Sequence, residues 1–296
     1  MIVPVLQHDE LVNDIKAAAV DRVHFHLWWL GQSGFVVQWQ GRHLLFDPYL
    51  SDSLTKKYAG TDKPHVRMTE LAVDPRKLDF IDVVTSSHNH TDHLDGETLL
   101  PLLEVNSKLA LIVPAANLQF AANRLRVDPT RLTPIDDRES VEMSGFQITA
   151  VRSAHETVER DEQGRCRFLG YIARFGSWTV YHSGDTVLYR GLAKRLREWS
   201  VDVALLPING SRPERRVAGN LWGHEAAQLA KDIHARMVIP CHFDMFEFNT
   251  VTPDQFVHAA AQLGQPQRVL KCGERWSSSE LARLVRSGMP CGIKES

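Results

Sequence analysis

The sequence feature that most constrains the fold is residues 81–95, which read IDVVTSSHNHTDHLD. The apolar and β-branched residues at its start predict a short buried strand. Directly after that strand come His88, His90, Asp92 and His93, and the residues beyond position 95 have helix-forming composition. The cluster therefore belongs to a loop between a strand and a helix.

Imidazole and carboxylate groups at this density need a partner for their lone pairs if they are buried. A divalent cation is such a partner, because neutral imidazole nitrogen and carboxylate oxygen both suit zinc, iron and manganese. The alternative is a polar loop whose histidines are solvated. An H-x-H-x-D-H string that follows a buried strand favours the metal site over that alternative.

Length and composition exclude several other classes of protein. The 296 residues are 43% hydrophobic and 24% charged, with a net charge of −2, as in ordinary globular proteins. No basic stripe interleaved with aromatic residues is present, so we expect no nucleic-acid partner. No apolar run is long enough for a bilayer and no signal peptide is recognisable, so we expect a cytoplasmic protein without a membrane partner. A homo-oligomer is compatible with this composition.

The four cysteines are far apart in the sequence and form no C-x-x-C pair. Such spacing predicts reduced thiols of an intracellular protein, in contrast to a disulfide framework. The four residues concerned are Cys166, Cys241, Cys272 and Cys291.

Further candidate ligands stand where other predicted strands stop, at Asp47, His155, Asp185 and His242. Asp47 precedes the proline that ends its strand, and we expect it to orient metal ligands from behind; a loop-capping role is the alternative. We expect His182 to pack or to support the site in the same indirect way. By contrast, histidines without a second ligand type nearby are predicted to be structural, namely His24, His26 and His43.

The remaining segments predict a scaffold and two loops. Residues 9–20 have apolar positions on one helical face and predict an N-terminal helical extension within residues 1–22, packed on the body or on a neighbouring subunit. Residues 49–76 form a long polar loop, which is either a lid over the substrate or a solvated surface loop. Residues 189–199 predict a helix and residues 267–270 a strand.

Antiparallel strands followed by strand–helix alternation occur in both halves of the chain. This order favours an α/β fold built as a four-layer αββα sandwich of two mixed sheets with helices outside. No linker or composition break divides the chain, so residues 1–296 are predicted to form one domain. Strand ends at one edge of such a sandwich converge, and the ligand types there suffice for two metal ions that hold a bridging hydroxide, which is hydrolytic chemistry.

The motifs FDP (46–48), SHNHTDH (87–93), SAH (153–155), SGDT (183–186) and CHFD (241–244) resemble the metallo-β-lactamase superfamily, in family order and across nearly the whole chain. The resemblance implies the αββα fold with two ions of zinc or manganese. It also implies a ligand set. The first ion would be bound by His88, His90 and His155, the second by Asp92, His93 and His242, with Asp185 bridging and Asp47 supporting.

Within that superfamily the segments WWLGQSG (28–34), YHSGDT (181–186) and VIPCHFD (238–244) are similar to the L-ascorbate-6-phosphate lactonase (UlaG-like) branch. This implies a hydrolase acting on a phosphorylated sugar lactone. The alternatives are a phosphodiesterase of the same fold and a non-catalytic metal-binding protein. We expect Asp92 and Asp185 to be the catalytic carboxylates, with Asp92 orienting the nucleophile or moving a proton.

The loop at residues 209–220 is rich in glycine, arginine and asparagine. Guanidinium groups bind anionic groups through charge-assisted hydrogen bonds, so this loop is a candidate for gripping an anionic small-molecule substrate. A solvated arginine loop is the alternative. The candidate substrate residues are Asn209, Arg212, Arg215 and Arg216.

Overall fold

The computed structural model describes residues 1–286. Its strands are β1 (His26–Trp29), β2 (Phe35–Trp39), β3 (Arg42–Phe46), β4 (Val83–Thr85), β5 (Ala110–Pro114), β6 (Leu132–Ile135), β7 (Ser140–Met143), β8 (Phe146–Arg152), β9 (Leu169–Phe175), β10 (Trp178–His182), β11 (Val203–Pro207), β12 (Met237–Cys241) and β13 (Arg275–Ser277). Its α-helices are α1 (His8–Ala18), α2 (Ser53–Tyr58), α3 (Gly96–Val105), α4 (Leu118–Leu125), α5 (Leu192–Leu196), α6 (Gly223–Asp232), α7 (Asp254–Leu263) and α8 (Ser279–Arg286).

Two mixed sheets form the body. The first has seven strands in the order β13-β1-β2-β3-β4-β5-β6, and the second has six in the order β12-β11-β10-β9-β8-β7. The strands from β3 to β6 run parallel, as do those from β10 to β12, while the other pairs are antiparallel. The predicted sandwich of two mixed sheets is thus confirmed.

Alternate residues of the first sheet enter two different cores. Leu27 and Trp29 face the second sheet in one cluster of buried residues, whereas Trp28 faces outward into another. The outer cluster lies under α1, α3 and α4 and includes Ile15 of α1. Trp28 also donates from its indole nitrogen to Asp14, 2.8 Å away. The predicted N-terminal helix therefore exists and packs on the body of its own chain.

Several predicted elements differ from the structure. Residues 267–270 do not form a strand, because only an isolated bridge between Gln267 and Val238 joins them to β12; the edge of the first sheet is occupied by β13, whose Trp276 is buried opposite Leu27 of β1. The helix predicted at residues 189–199 is only α5, and the long loop at residues 49–76 contains α2. Strands β6 and β7 were not predicted. Each is only four residues long, and β6 contains Pro134, so neither gives a strong strand signal even though apolar Val141 and Met143 alternate with polar residues in β7. The assignment of residues 1–296 to one domain stays a prediction.

Asp95, the last residue of the segment 81–95, stabilises the start of helix α3. Asp95 is the N-cap of α3 and accepts a hydrogen bond from the backbone nitrogen of Glu97. Its other carboxylate oxygen accepts hydrogen bonds from the hydroxyls of Ser51 and Thr98, each at 2.6 Å. Asp95 therefore fixes where the ligand-bearing loop ends and the helix begins.

Within residues 1–286, no helix is long and apolar enough to span a membrane. Three of the cysteines are buried and unpaired, namely Cys166, Cys241 and Cys272. Cys291 lies outside the described residues.

Candidate metal centre

The candidate ligands meet at one edge of the sandwich because the strands that precede them end there. Thr85 at the end of β4 lies beside Phe46 at the end of β3, and β10 and β12 flank β11 in the second sheet. A glycine is required at the turn after β10. A Cβ atom on Gly184 would lie 2.7 Å from the carbonyl oxygen of Leu169, and its φ is +58°. Asp185 is thereby directed towards the ligands of the first sheet.

Seven side chains form two groups in which the ligand atoms lie within 4.8 Å of one another. The first group is His88, His90, His155 and Asp185, and the second is Asp92, His93 and His242. Asp185 contacts both groups. Its Oδ2 atom lies 3.4 Å from His155 Nε2 and 3.3 Å from His242 Nε2, and its Oδ1 atom lies 3.3 Å from His93 Nε2. The structure thus brings together every predicted ligand, and Asp185 contacts histidines of both groups.

The chemistry of these donors fits divalent cations. Apart from Nδ1 of His242, whose Nε2 is the atom that lies near Asp185, three atoms of these ligands are buried and have no aligned hydrogen-bond partner among residues 1–286: His88 Nε2, His93 Nε2 and Asp185 Oδ1. Buried polar atoms are normally paired, so three orphans within one cluster need an explanation. Imidazole nitrogen and carboxylate oxygen together are a ligand set for zinc, iron or manganese, which would satisfy all three.

Asp47 lies behind His93 and is fully buried. One of its oxygens is 2.7 Å from His93 Nδ1, and the same carboxylate accepts hydrogen bonds from the backbone nitrogen and the hydroxyl of Ser87. Thr85 donates a further hydrogen bond at 3.1 Å. A carboxylate behind Nδ1 holds the ring in the tautomer whose Nε2 lone pair faces the site, as outer partners of metal-binding histidines generally do.

Two other ligands are oriented in the same way. Nδ1 of His155 donates to the carbonyl oxygen of Gly219 at 2.9 Å, which leaves Nε2 for the site. The side-chain nitrogen of Gln32 donates to Asp92 Oδ2 at 2.7 Å and lies 3.1 Å from His242 Nε2. Gln32 therefore ties the second ligand group to the tight connection between β1 and β2.

Burial and the charges of neighbouring ligands shift the pKa values of His93 and Asp185 in opposite directions. Burial lowers the pKa of His88 well below its ordinary value, which favours the neutral ring that binds metal. Burial acts in that direction on His93 too, but the carboxylates of Asp185 and Asp92 outweigh it and raise its pKa well above the ordinary value. Burial opposes ionisation of Asp185, yet His242 and His93 hold its pKa well below the usual range. The carboxylates therefore remain charged in the site.

His182 lies behind the turn that carries Asp185. Its ring stacks on Phe46, with 4.9 Å between ring centroids, and its Nδ1 accepts a hydrogen bond from the backbone nitrogen of Gly184 at 3.3 Å. Its other nitrogen lies 2.9 Å from the carbonyl oxygen of Ser33. This placement agrees with the predicted supporting role.

The three histidines predicted to be structural lie outside both ligand groups. His24 and His26 both contact the carboxylate of Asp21, at 3.1 and 3.2 Å. His43 is buried with its ring 4.7 Å from that of Phe80.

A cleft of about 390 Å³ opens onto the ligands. One wall comes from residues 49–76, including Tyr58 and His65, whose rings stack with centroids 4.1 Å apart. Phe248 approaches the same His65 ring to 4.4 Å. Arg124 lines the cleft from α4 and is anchored by hydrogen bonds to the carbonyl oxygens of Asn89 and Leu94. The loop at residues 49–76 thus contributes to the cleft wall.

The predicted substrate residues divide into two sets. Arg216 lines the cleft and pairs with Asp62 of the facing loop at 2.8 Å. Asn209, Arg212 and Arg215 are not among the residues that line the cleft. The guanidinium of Arg215 binds the backbone of Asn209, and that of Arg212 lies over the Trp222 ring. Of the four predicted substrate residues, Arg216 is therefore the only one placed to contact a substrate in this cleft.

Sequence reasoning named residues 49–76 as a candidate lid and Arg216 as a candidate substrate residue, but it did not single out three other side chains of the cleft wall. These side chains are His65, Arg124 and Phe248, which come from three distant segments of the chain. No local sequence pattern predicts that they line the same cleft. Gln32 had a detectable signal in the sequence, because it stands between Gly31 and Gly34 in a tight connection. In the structure its φ is +48°.

Comparison with known proteins identifies the family. Residues 42–243 match the Beta-lactamase superfamily domain. The chain belongs to this superfamily. It is 26% identical over 252 residues to a UPF0173 metal-dependent hydrolase of Sulfolobus acidocaldarius, covering 84% of this chain and 97% of the relative. It is 27% identical over 255 residues to a UPF0173 metal-dependent hydrolase of Opitutus terrae, again covering 84% and 97%.

A solved structure agrees with the fold. The isothiocyanate hydrolase from Delia radicum gut bacteria superposes with a TM-score of 0.67 at 18% sequence identity, covering 85% of this chain and 98% of that one. At such low identity the likeness supports the αββα architecture alone. The predicted metallo-β-lactamase fold is therefore confirmed.

Proposed function

We propose that this superfamily member is a metal-dependent hydrolase of a small anionic ester or lactone, with a phosphorylated sugar lactone as the leading substrate class. The observation that carries the proposal is the pair of ligand groups that share Asp185 at the base of the cleft. The names of the UPF0173 relatives support hydrolysis as the reaction class. The similarity of the WWLGQSG segment to the lactonase branch supports the substrate class.

Two divalent ions bound by these residues would lower the pKa of water and polarise the bond to be cleaved. The protein's own part is to hold the ligands in one geometry. Asp47 keeps the Nδ1 proton of His93 away from the site, and the Gly219 carbonyl does the same for His155. Asp92 faces the cleft with one oxygen held by Gln32, which leaves its other oxygen to orient water or to accept a proton.

The dimensions and charge of the cleft support a small anionic substrate. Its volume of about 390 Å³ suits a sugar-sized molecule better than a polymer. Lys57, Arg124 and Arg216 line it, and arginine and lysine bind phosphate and carboxylate groups. Two metal ions that share a carboxylate also suit phosphodiester cleavage, so a phosphodiesterase is the second candidate.

The test compares two substrates on the same metal-loaded protein. Protein reconstituted with manganese or with zinc is assayed on a phosphorylated sugar lactone and on a chromogenic phosphodiester, and its metal content is measured. We expect the metal-loaded protein to hydrolyse the phosphorylated sugar lactone. Diester turnover alone would favour the phosphodiesterase, and two bound ions without turnover of either compound would contradict both substrate assignments.

A histidine exchange tests the metal centre itself. The His90 side chain is exposed, so His90→Ala is expected to keep the fold while losing metal and turnover together. His258→Ala is the matched control, because His258 is an exposed histidine on α7 and belongs to neither ligand group. Full metal content and turnover in His90→Ala would refute the assignment of His90.

A further inference from the structure

Asn220 is a buried amide in the cleft wall that lacks any hydrogen-bond partner. The residue lines the cleft and is 1% exposed. Neither its side-chain nitrogen nor its side-chain oxygen bonds to another of residues 1–286. A buried amide has two donor hydrogens and an acceptor oxygen to satisfy, so this side chain is costly as it stands.

The backbone around Asn220 is fixed relative to the metal ligands. Its own nitrogen donates to the carbonyl oxygen of Gly210 at 3.1 Å, and the nitrogen of Leu221 donates to that of Thr186 at 2.8 Å. Thr186 follows Asp185 directly, and the preceding carbonyl, that of Gly219, holds His155 at 2.9 Å. These hydrogen bonds hold the backbone of Asn220 at a fixed position relative to the ligand groups, so its amide cannot move elsewhere to find a hydrogen-bond partner.

Asn106 is another buried asparagine, but its amide is fully hydrogen-bonded within the fold. Asn106 is 8% exposed, and its amide donates to the carbonyl oxygens of Leu78 and Leu102 while its oxygen accepts from the nitrogen of Ile81. Asn106 is thus satisfied by the fold. Asn220 has the same side chain and deeper burial but receives nothing from the fold, which indicates that its partner is a ligand of the cleft.

We propose that Asn220 is a catalytic residue whose side-chain nitrogen donates a hydrogen bond to the carbonyl or phosphoryl oxygen of the substrate. That oxygen gains negative charge as water adds to the neighbouring carbon or phosphorus, and a fixed donor stabilises it most at that stage. The Asn220 oxygen then accepts from a hydroxyl of the same substrate, which favours hydroxylated compounds over fully apolar esters. The inference rests on the proposed function, because the donor requires a hydrolysed bond beside the ligands.

The experiment replaces the amide by an apolar side chain of similar shape. Asn220→Leu, with Asn220→Ala as a second variant in case leucine does not fit, is compared with Asn106→Ala in zinc-loaded protein. We measure kcat and KM on the lactone and the phosphodiester, the thermal midpoint, and the dissociation constant of inorganic phosphate by calorimetry. Phosphate is the probe because its tetrahedral oxygens resemble those of the tetrahedral intermediate in ester or lactone hydrolysis.

The expected result separates catalysis from stability. Asn220→Leu or Asn220→Ala should lower kcat about 100-fold, as for the loss of one oxyanion donor, while the thermal midpoint stays equal or rises. Phosphate should bind at least several-fold more weakly. Asn106→Ala should show the reverse, a lower midpoint with unchanged kcat.

Two results would overturn the inference. One is a fall in the midpoint of both Asn220 variants with unchanged kcat, which would mean that the amide has a structural partner such as a buried water. The other is unchanged phosphate affinity. If the wild-type protein hydrolyses neither compound, the proposed function fails, and the phosphate affinity and midpoint still decide the role of Asn220.

Discussion

Replacing Asp47 by asparagine should weaken metal binding without unfolding the protein. Asp47 has a φ of +36°, a region that asparagine tolerates better than alanine does, so the backbone is preserved. The oxygen that accepts from Thr85 and from the Ser87 nitrogen can be retained as the amide oxygen. The other oxygen becomes an NH2 group that faces the Ser87 hydroxyl and His93 Nδ1.

The structure sets the size of the effect. The hydroxyl of Ser87 can rotate to accept from the new amide, so stability should change by no more than about 1.5 kcal/mol. Nδ1 of His93 can also accept, but only if its proton moves to Nε2, the atom that lies 3.3 Å from Asp185. In that tautomer Nε2 carries the proton and has no lone pair with which to bind a metal, because the lone pair is on Nδ1. The expected loss of affinity is about 10- to 100-fold, or about 1.4 to 2.7 kcal/mol.

The assay is zinc competition against a chelating dye, with metal content and urea unfolding measured in parallel. The control is Asp82→Asn. Asp82 accepts a hydrogen bond from the backbone nitrogen of His43 at 2.8 Å at the opposite end of β3, and it touches no ligand group. Zinc affinity equal to that of the wild-type protein in folded Asp47→Asn would refute the reasoning about the tautomer of His93.

Three further predictions concern other parts of the chain. Ile15→Ala removes a fully buried side chain of α1 and should cost about 2–5 kcal/mol in urea unfolding with unchanged turnover; unchanged stability would contradict the docking of α1. Arg216→Ala should leave the unfolding midpoint unchanged, since its ion pair with Asp62 is exposed, but should raise KM for an anionic substrate; an unchanged KM would remove Arg216 from the substrate site. Burial raises the pKa of Cys166 to about 11, so at pH 8 about one thiol in a thousand is ionised; in a Cys291→Ser variant, disulfide reagents should react quickly only after unfolding.

The positions of the candidate ligands were predictable because the signal was local at each of them. A buried run followed by a histidine or an acid places that residue at a strand end, and the αββα order brings such ends to one edge. Asp47 could be found in the same way, because it stands between a strand and Pro48. Its hydrogen bond to His93 agrees with the predicted supporting role.

The edges of the sheets and the walls of the cleft were not predictable by the same reasoning. Residues 267–270 have strand-like composition, yet they share only an isolated bridge with β12, while the distant segment β13 pairs with β1 and buries Trp276 there; pairing between such distant segments is not visible in local composition. Likewise, His65 becomes part of the cleft only through its contacts with Tyr58 and Phe248. Arg215 resembled a substrate residue in sequence but is used to bind the backbone of its own loop.

The metal centre and the substrate cleft are therefore built from different kinds of structure. The ligands follow core strands and are oriented by buried partners such as Asp47, so an exchange there should alter metal affinity and every activity together. Tyr58 ends the short helix α2 and Arg216 lies on a loop, both away from the ligand groups, so an exchange of either residue should alter KM and leave the metals in place. Asn220 lies between these two classes, because its loop is fixed by the ligands while its amide faces the cleft. A substitution there should change kcat at constant metal content, a combination that neither core ligands nor loop residues produce.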